Sequence, residues 1–178
     1  KSVVGLLVGQ LINEGKLTED TLLVDVLPEF RTDTKFDDIT VQHLLDMSSG
    51  IDVSEDYSYF KPFVGVGGLM LTTNLPDYLK ADQGMRFTPG EKMDYRSVDT
   101  QYLSMIVTRI ESKSLAEVAH QRLWEPMGAE DEATWNLDRK GGIEKGFMGL
   151  NATPRDFAKI GQLVLDRGKV KGVQVEPE

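Results

Sequence analysis

KSVVGLLVGQLINEGKL, residues 1–17, sets a lysine directly ahead of a helix that is apolar almost all round. Val3, Val4, Leu6, Leu7, Val8, Leu11 and Ile12 leave little polar face, so this helix belongs inside a body rather than on its surface. Gly15 can take the left-handed conformation that closes a helix, and Lys16 completes the exit. No capping side chain precedes the first turn to satisfy its exposed backbone donors. At the far end, Gly168 to Gly172 read as a turn and Val173-Gln174-Val175 as a strand that stops as it starts. Both edges give the expectation of one partial domain over residues 1–178, truncated at both ends.

A chain of 178 residues with 40% hydrophobic content has the material for a real core. The net charge of -9 argues against nucleic acid, since a phosphate-binding surface needs a basic field. Small molecules or peptide-like compounds are the expected partners. The absence of cysteine removes disulfides, thiolate metal sites and thiol nucleophiles together. The longest apolar run, Val3 to Val8, falls far short of the ~18 residues of a membrane span.

Helices dominate the rest. Thr18 to Phe30 reads as a short helical stretch ending at Leu27-Pro28-Glu29-Phe30, and Thr40 caps a helix over Val41 to Asp46. Residues 51–70, rich in aromatics and glycine, read as irregular. Asn74 to Lys80 is helical, Thr88-Pro89-Gly90 a turn, and Val98 to Ile110 carries apolar residues at helical spacing. Ser114-Leu115-Ala116-Glu117 is a capping box opening a helix through Leu123. Trp135 to Leu150, with four glycines, reads as a long loop, and Thr153-Pro154 restarts a helix that buries Phe157, Ile160, Leu163 and Val164.

Few residues offer chemistry. His43 and His120 are the two histidines, and a lone histidine beside apolar helix residues is more often structural than a ligand or base. The acidic pairs Asp37-Asp38 and Glu55-Asp56, and Glu130-Asp131-Glu132, read as solvated loops. Gly65-Val66-Gly67-Gly68 lacks the preceding strand and following lysine of a phosphate loop. Ser58-Tyr59-Phe60-Lys61 has S-x-x-K spacing, but Pro62 and the glycines after it deny it a long helix. Lys1 has that helix. With a serine three positions earlier, the pair would share one face, and desolvation would lower the lysine from ~10.4 toward ~7 to 8, making it a base. Taken alone, Lys1 reads more readily as a lysine left exposed at a chain end. In Asp94-Tyr95-Arg96-Ser97, an extended segment would point Tyr95 and Ser97 the same way and Arg96 elsewhere. A tyrosine near an ammonium can serve as general base; its bland counterpart is a tyrosine packed at a helix start.

Five stretches in order resemble the serine β-lactamase and penicillin-binding-protein superfamily, in the branch with class C β-lactamases, esterases and nylon-oligomer hydrolases. KSVVGLLVGQLINEGKL is similar to the helix after the S-x-x-K nucleophile, and ITVQHLLDMSSGI (39–51) to the family's I-T-x-x-H-L-L-x-M-T-S-G. TPGEKMDYRSVDTQYLSMIVTRI (88–110) resembles the Y-x-N stretch, while LWEPMGAED (123–131) and GLNATPRDFAKIGQLVLDRG (149–168) match further segments.

The resemblance implies an α+β, β-lactamase/transpeptidase-like fold of which this chain is mainly the helical part. It implies a serine hydrolase forming an acyl-enzyme on amide, lactam or ester substrates, with no metal or organic cofactor. Lys1 would assist serine deprotonation, Tyr95 would shuttle the proton, and Ser97 would bind substrate at the asparagine position of Y-x-N. That serine departs from the lactamase pattern and resembles the Y-x-S of amidase and esterase members. The nucleophile and the third motif lie outside the sequence, so the fragment alone is expected to be inactive, and without most of the sheet strands it is expected to expose apolar helix faces and be poorly stable. The alternative is a non-catalytic β-lactam or peptidoglycan-binding protein on the same scaffold. The family is compatible with a periplasmic or extracytoplasmic setting and with a cytoplasmic one.

Overall fold

The computed structural model describes residues 1–56, 60–81 and 83–177. The first helix, α1 (Ser2–Asn13), starts without a side-chain cap, as its sequence suggests, and Gly15 closes it at φ +70°. Val3, Val4, Leu7, Val8, Gln10 and Leu11 are buried, whereas Leu6 and Ile12 are partly covered and Gly5 and Gly9 face open space. Residues 18–30 hold only one turn of helix, α2 (Leu23–Val26), and a 3-10 turn over Pro28–Phe30. Pro28 breaks the α-helical ladder between them because it has no N–H to donate.

A short helix α3 (Val41–Leu45) is capped by Thr40, whose Oγ1 accepts from the His43 backbone N–H at 3.2 Å. The His43 ring returns the favour, Nδ1 accepting from the Thr40 N–H at 3.2 Å, so this histidine is structural. Residues 51–70 depart from the irregular reading, because Gly65–Leu71 form a helix, α4. Its glycines are not loop formers. Added Cβ atoms at Gly67 and Gly68 would strike the Pro62 and Phe63 carbonyls, so they let the chain double back on itself. Helix α5 (Leu75–Ala81) follows, its first N–H donating to the distant Asp138 carboxylate at 2.9 Å.

The central element is α6 (Ser97–Glu111), and ten of its 15 residues are buried. Helices α1, α2, α3 and α7 (Leu115–Ala119) all pack on it. Tyr102 anchors the packing, with Phe30 and Phe36 edge-on at 5.2 and 5.8 Å; such pairs add about 0.5–1.5 kcal/mol each beyond area burial. The Ser114–Glu117 capping box forms as read, and α7 continues into a π-helical turn over His120–Trp124. Arg122 then grips Glu14 at 2.6 Å and Glu111 at 2.9 Å, tying the ends of α1 and α6 together. Arg122 first, and Lys16 after it, hold the Glu14 carboxyl down to about 2.

Strands are few among the described residues. β1 (Thr134–Trp135) pairs antiparallel with β2 (Leu150–Asn151), which closes the glycine-rich loop into a bounded excursion. The Trp135 indole donates to the Lys145 and Met148 carbonyls at 3.0 and 2.8 Å, and the Gln101 carboxamide, fully buried on α6, takes the Gly146 N–H at 2.9 Å. Helix α8 (Pro154–Leu165) is capped by Thr153 as expected, but its buried face is narrower than its sequence suggests. Leu163 is buried, while Phe157 and Val164 are 40% and 60% exposed, an apolar face left without a partner among the described residues. After α8 comes a hairpin, β3 (Lys169–Val170) with β4 (Val173–Gln174), in place of a lone strand start. The mainly helical content fits the expected α+β class.

One buried acid stands out in α6. Asp99 has no exposed surface; its Oδ1 accepts from the Ser49 hydroxyl at 2.6 Å, and its Oδ2 has no hydrogen-bond partner among the described residues. Burial pushes its carboxyl up to about 7, with the Ser49 hydrogen bonds pulling the other way.

Two outcomes are expected. An added Cβ at Gly146 would collide with Ser104 Cβ and Oγ, so Gly146→Ala should lower denaturant stability by about 1–3 kcal/mol. Ser104→Gly in that background should restore part of the loss and Ser104→Ala should not, because only the former removes the Cβ. For Asp99, an acid whose folded value is raised ionises in the unfolded chain first, so it costs stability as pH climbs from ~4 through about 7. The stability of Asp99→Asn relative to wild type should therefore rise between pH 5 and pH 8, by about 1 kcal/mol or more. A difference independent of pH would mean that Asp99 is already ionised in the folded protein at pH 5.

Candidate active site

The segment between the Thr88-Pro89-Gly90 turn and α6 is fixed from both sides. Gly90, at φ +80°, donates to the Ser48 carbonyl at 2.9 Å, and the Asp94 N–H donates to the Met47 carbonyl at 2.7 Å. Arg96 turns away and is buried, donating to the Val53 carbonyl at 2.9 Å and pairing with Asp94 at 2.7 Å. Tyr95 and Ser97, its neighbours on either side, both meet Lys1.

Lys1 arrives from the start of α1. Its Nζ donates to Ser97 Oγ at 2.9 Å and to the Phe147 carbonyl at 3.3 Å, and it lies 5.2 Å from the Tyr95 ring centroid and 5.6 Å from that of Phe147. The structure therefore brings Lys1, Tyr95 and Ser97 together. Burial lowers the Lys1 ammonium from its ordinary value, while the negative charges of Glu55 and then Asp99 act to raise it. The direction matches what a lysine at the mouth of an apolar helix should show. Tyr95 is half exposed, its ring forming one wall of the ammonium's surroundings.

The expectation of a solvated loop at Glu55 does not hold. Its carboxylate accepts from the Ser97 backbone N–H, at the bare start of α6, and from the Ser97 hydroxyl at 3.0 Å. Arg96 provides no side-chain cap there, so an acid 42 residues earlier in the chain does so. Nothing in Ser54-Glu55-Asp56 signals this, because the pairing is set by tertiary placement. The Phe147 carbonyl was equally illegible; Gln101, through Gly146, puts it in reach of Lys1.

The other candidates lie elsewhere. Ser58 and Tyr59 of the S-x-x-K spacing fall outside the described residues. The Asp37 carboxylate binds the Thr32 and Asp33 N–H groups at 2.9 and 2.8 Å, and Asp156 gathers the N–H groups of Glu130 and Asp131, so these acids brace loops. Among the described residues no group of histidine and carboxylate side chains could hold a metal ion, and no helix is long and apolar enough to cross a membrane.

A family model described as Beta-lactamase matches residues 1–176. A curated relative, the 6-aminohexanoate-dimer hydrolase of Paenarthrobacter ureafaciens, is 30% identical over 188 residues, covering 98% of this chain and 46% of its own length. A solved Bacillus anthracis structure provisionally assigned as a 6-aminohexanoate-dimer hydrolase superposes with a TM-score of 0.86 at 28% identity, over 98% of this chain and 48% of its own. A D-stereospecific amidohydrolase from Streptomyces shares the fold, with a TM-score of 0.71 at 17% identity over 98% of this chain and 61% of its own. The chain thus spans about half the length of the first two of these relatives. With a family model matched along nearly its whole length and the fold shared, the chain belongs to the beta-lactamase family.

Proposed function

We propose that this chain is the lysine- and tyrosine-bearing part of a serine hydrolase whose nucleophile stands three residues before Lys1, outside the 178 residues. The observation that carries the reading is the meeting of Lys1 Nζ with Ser97 Oγ at 2.9 Å and with the Tyr95 ring, across 96 residues of sequence. A partly desolvated amine beside a phenol is a pair able to take a proton from an alcohol and hand it to a leaving group.

In the proposed cycle the serine hydroxyl attacks an amide, lactam or ester carbonyl, its proton passing to the neutral Lys1 amine, which relays one proton to the Tyr95 phenolate. Collapse of the tetrahedral adduct breaks the bond to the leaving group, which takes that proton from Tyr95. Water then attacks the acyl-enzyme, with Tyr95 as base, and regenerates the serine. Ser97 orients Lys1 and offers its hydroxyl where family members with Y-x-N present an amide. Linear amides are the favoured substrate class. The name of the Paenarthrobacter relative supports this, as does the absence of the asparagine amide at position 97.

Labelling the full-length protein with a fluorophosphonate and a fluorescent penicillin tests the reading. A covalent adduct with at least one is expected, and no adduct with either would favour a binding protein on the same scaffold. Tyr95→Phe should lower turnover by ~100-fold or more while leaving the fold intact by circular dichroism. Unchanged acylation and deacylation rates would remove the phenol from the mechanism.

A further inference from the structure

Ser97 makes one contact that its role beside Lys1 does not require. A hydroxyl has one hydrogen to give and two lone pairs to offer. Ser97 Oγ stands 2.9 Å from Lys1 Nζ and 3.0 Å from Glu55 Oε2, and an ionised carboxylate can only accept. The Ser97 proton is therefore committed to Glu55, and Ser97 Oγ can only accept from Lys1. We infer that Glu55 is a positioning residue for the proton transfer: it locks the Ser97 hydroxyl so that a neutral Lys1 gives Ser97 a hydrogen and keeps its lone pair for the nucleophile. Without Glu55 the hydroxyl can rotate and donate to that lone pair, which occupies the base. The inference rests on the assignment of Lys1 as a base.

The placement of Glu55 is specified from several sides. The Val66 N–H donates to the Ser54 carbonyl at 2.7 Å, and the Arg96 guanidinium holds the Val53 carbonyl, fixing the residues just before it. The Ser97 N–H, the first orphan donor of α6, completes its seat, where the positive end of the helix favours an anion. Toward solvent Glu55 faces a cleft of about 530 Å³ whose charged lining is Asp52, Asp56, Asp94, Arg86 and Arg96. On its other side the Ser97 hydroxyl joins it to Lys1, whose ammonium feels the negative charges of Glu55 and then Asp99. Arg86 pairs with Asp52 and Asp94, and Arg96 with Asp94, so both cleft guanidiniums already have carboxylate partners. Glu55 is the acid joined to the lysine through a shared hydroxyl.

A helix cap alone would affect stability and leave the ionisation behaviour of catalysis alone, so the test is the pH profile of kcat/KM in the full-length protein. Its acidic limb reports the free enzyme's base. Because the Glu55 charge raises Lys1, Glu55→Gln should move that limb to lower pH, by about one unit, and lower kcat about 10-fold with KM changed less than about three-fold. Glu55→Asp, which keeps the charge, should hold the limb near its wild-type position. Asp52→Asn, a carboxylate of the same cleft that does not touch Ser97, should leave both limb and kcat near wild type. An unmoved limb and near-normal kcat in Glu55→Gln would overturn the inference, as would an equal shift in Asp52→Asn, which would reveal only the general field of the cleft. Lys1→Met separates the two layers of argument. Loss of acylation there, with Glu55→Gln like wild type, defeats the positioning role alone, whereas acylation that survives Lys1→Met defeats the assignment of the base itself.

Discussion

The seating of α1 against α6 is the constraint on which the rest of the molecule depends. Helices α1 and α6 pack together, and Val4, Leu7, Val8 and Leu11 of α1 are fully withdrawn from water, as are Val98, Ile106 and Val107 of α6. A helix is rigid, so packing along its length fixes its first residue as firmly as its middle. Lys1 thereby reaches Ser97 without a loop to adjust its position. The Arg122 clamp on Glu14 and Glu111 sits at the opposite end of both helices and opposes sliding of one past the other. Slippage by one helical turn would move the ammonium about 5.4 Å, beyond any hydrogen bond to Ser97.

What could be read from the chain divides along a physical line. Local signals are in the sequence: the Gly15 stop, the Thr40 and Thr153 caps, the Ser114–Glu117 box and the 3.6-residue periodicity of α6 each depend on atoms within a few residues. The alternation of Tyr95, Arg96 and Ser97 belongs with them, since side chains two apart on extended backbone share a side. The nonlocal pairings were not legible. Glu55 reaches α6 because residues 52–54 are tied to Gly84, Arg96 and Val66, and no short stretch encodes that. Gly65–Leu71 looked irregular because glycine is a poor helix former, and that low propensity is outweighed by burial of Val66 and Leu69. Phe157 and Val164 satisfy a helical pattern, yet both keep a large part of their surface in water.

The same division explains why the loop before α8 matters. Its ends are held by β1 and β2, its interior by the Trp135 indole, by Lys145 on the Thr72 carbonyl and by Glu144 on the Ala116 N–H, and its stretch beside the site by the Gln101 carboxamide of α6. Gln101 both donates to the Glu144 carbonyl at 3.1 Å and accepts from Gly146, reading the loop backbone as a strand partner would. The Phe147 carbonyl then supplies Lys1 with a neutral acceptor. Neutrality matters here. A third carboxylate in that place would raise the lysine further and oppose the desolvation that favours its neutral form.

Lys1 is thus set by a balance of opposing effects, and the structure shows where each comes from. Apolar α1 and the rings of Tyr95 and Phe147 strip water from the ammonium and favour its neutral form, even though both rings attract the cation. Glu55 and Asp99 favour the charged form, and they do so unequally. Glu55 is bound to Ser97 by two hydrogen bonds, whereas Asp99 is sealed in the core with one oxygen unpartnered among the described residues and its carboxyl pushed up to about 7. Near neutral pH, then, Asp99 is only partly ionised and its pull on Lys1 varies with pH. A fold keeps so costly a buried acid only where surrounding packing offsets it, and the Tyr102–Phe30–Phe36 cluster, one turn further along α6, supplies that packing.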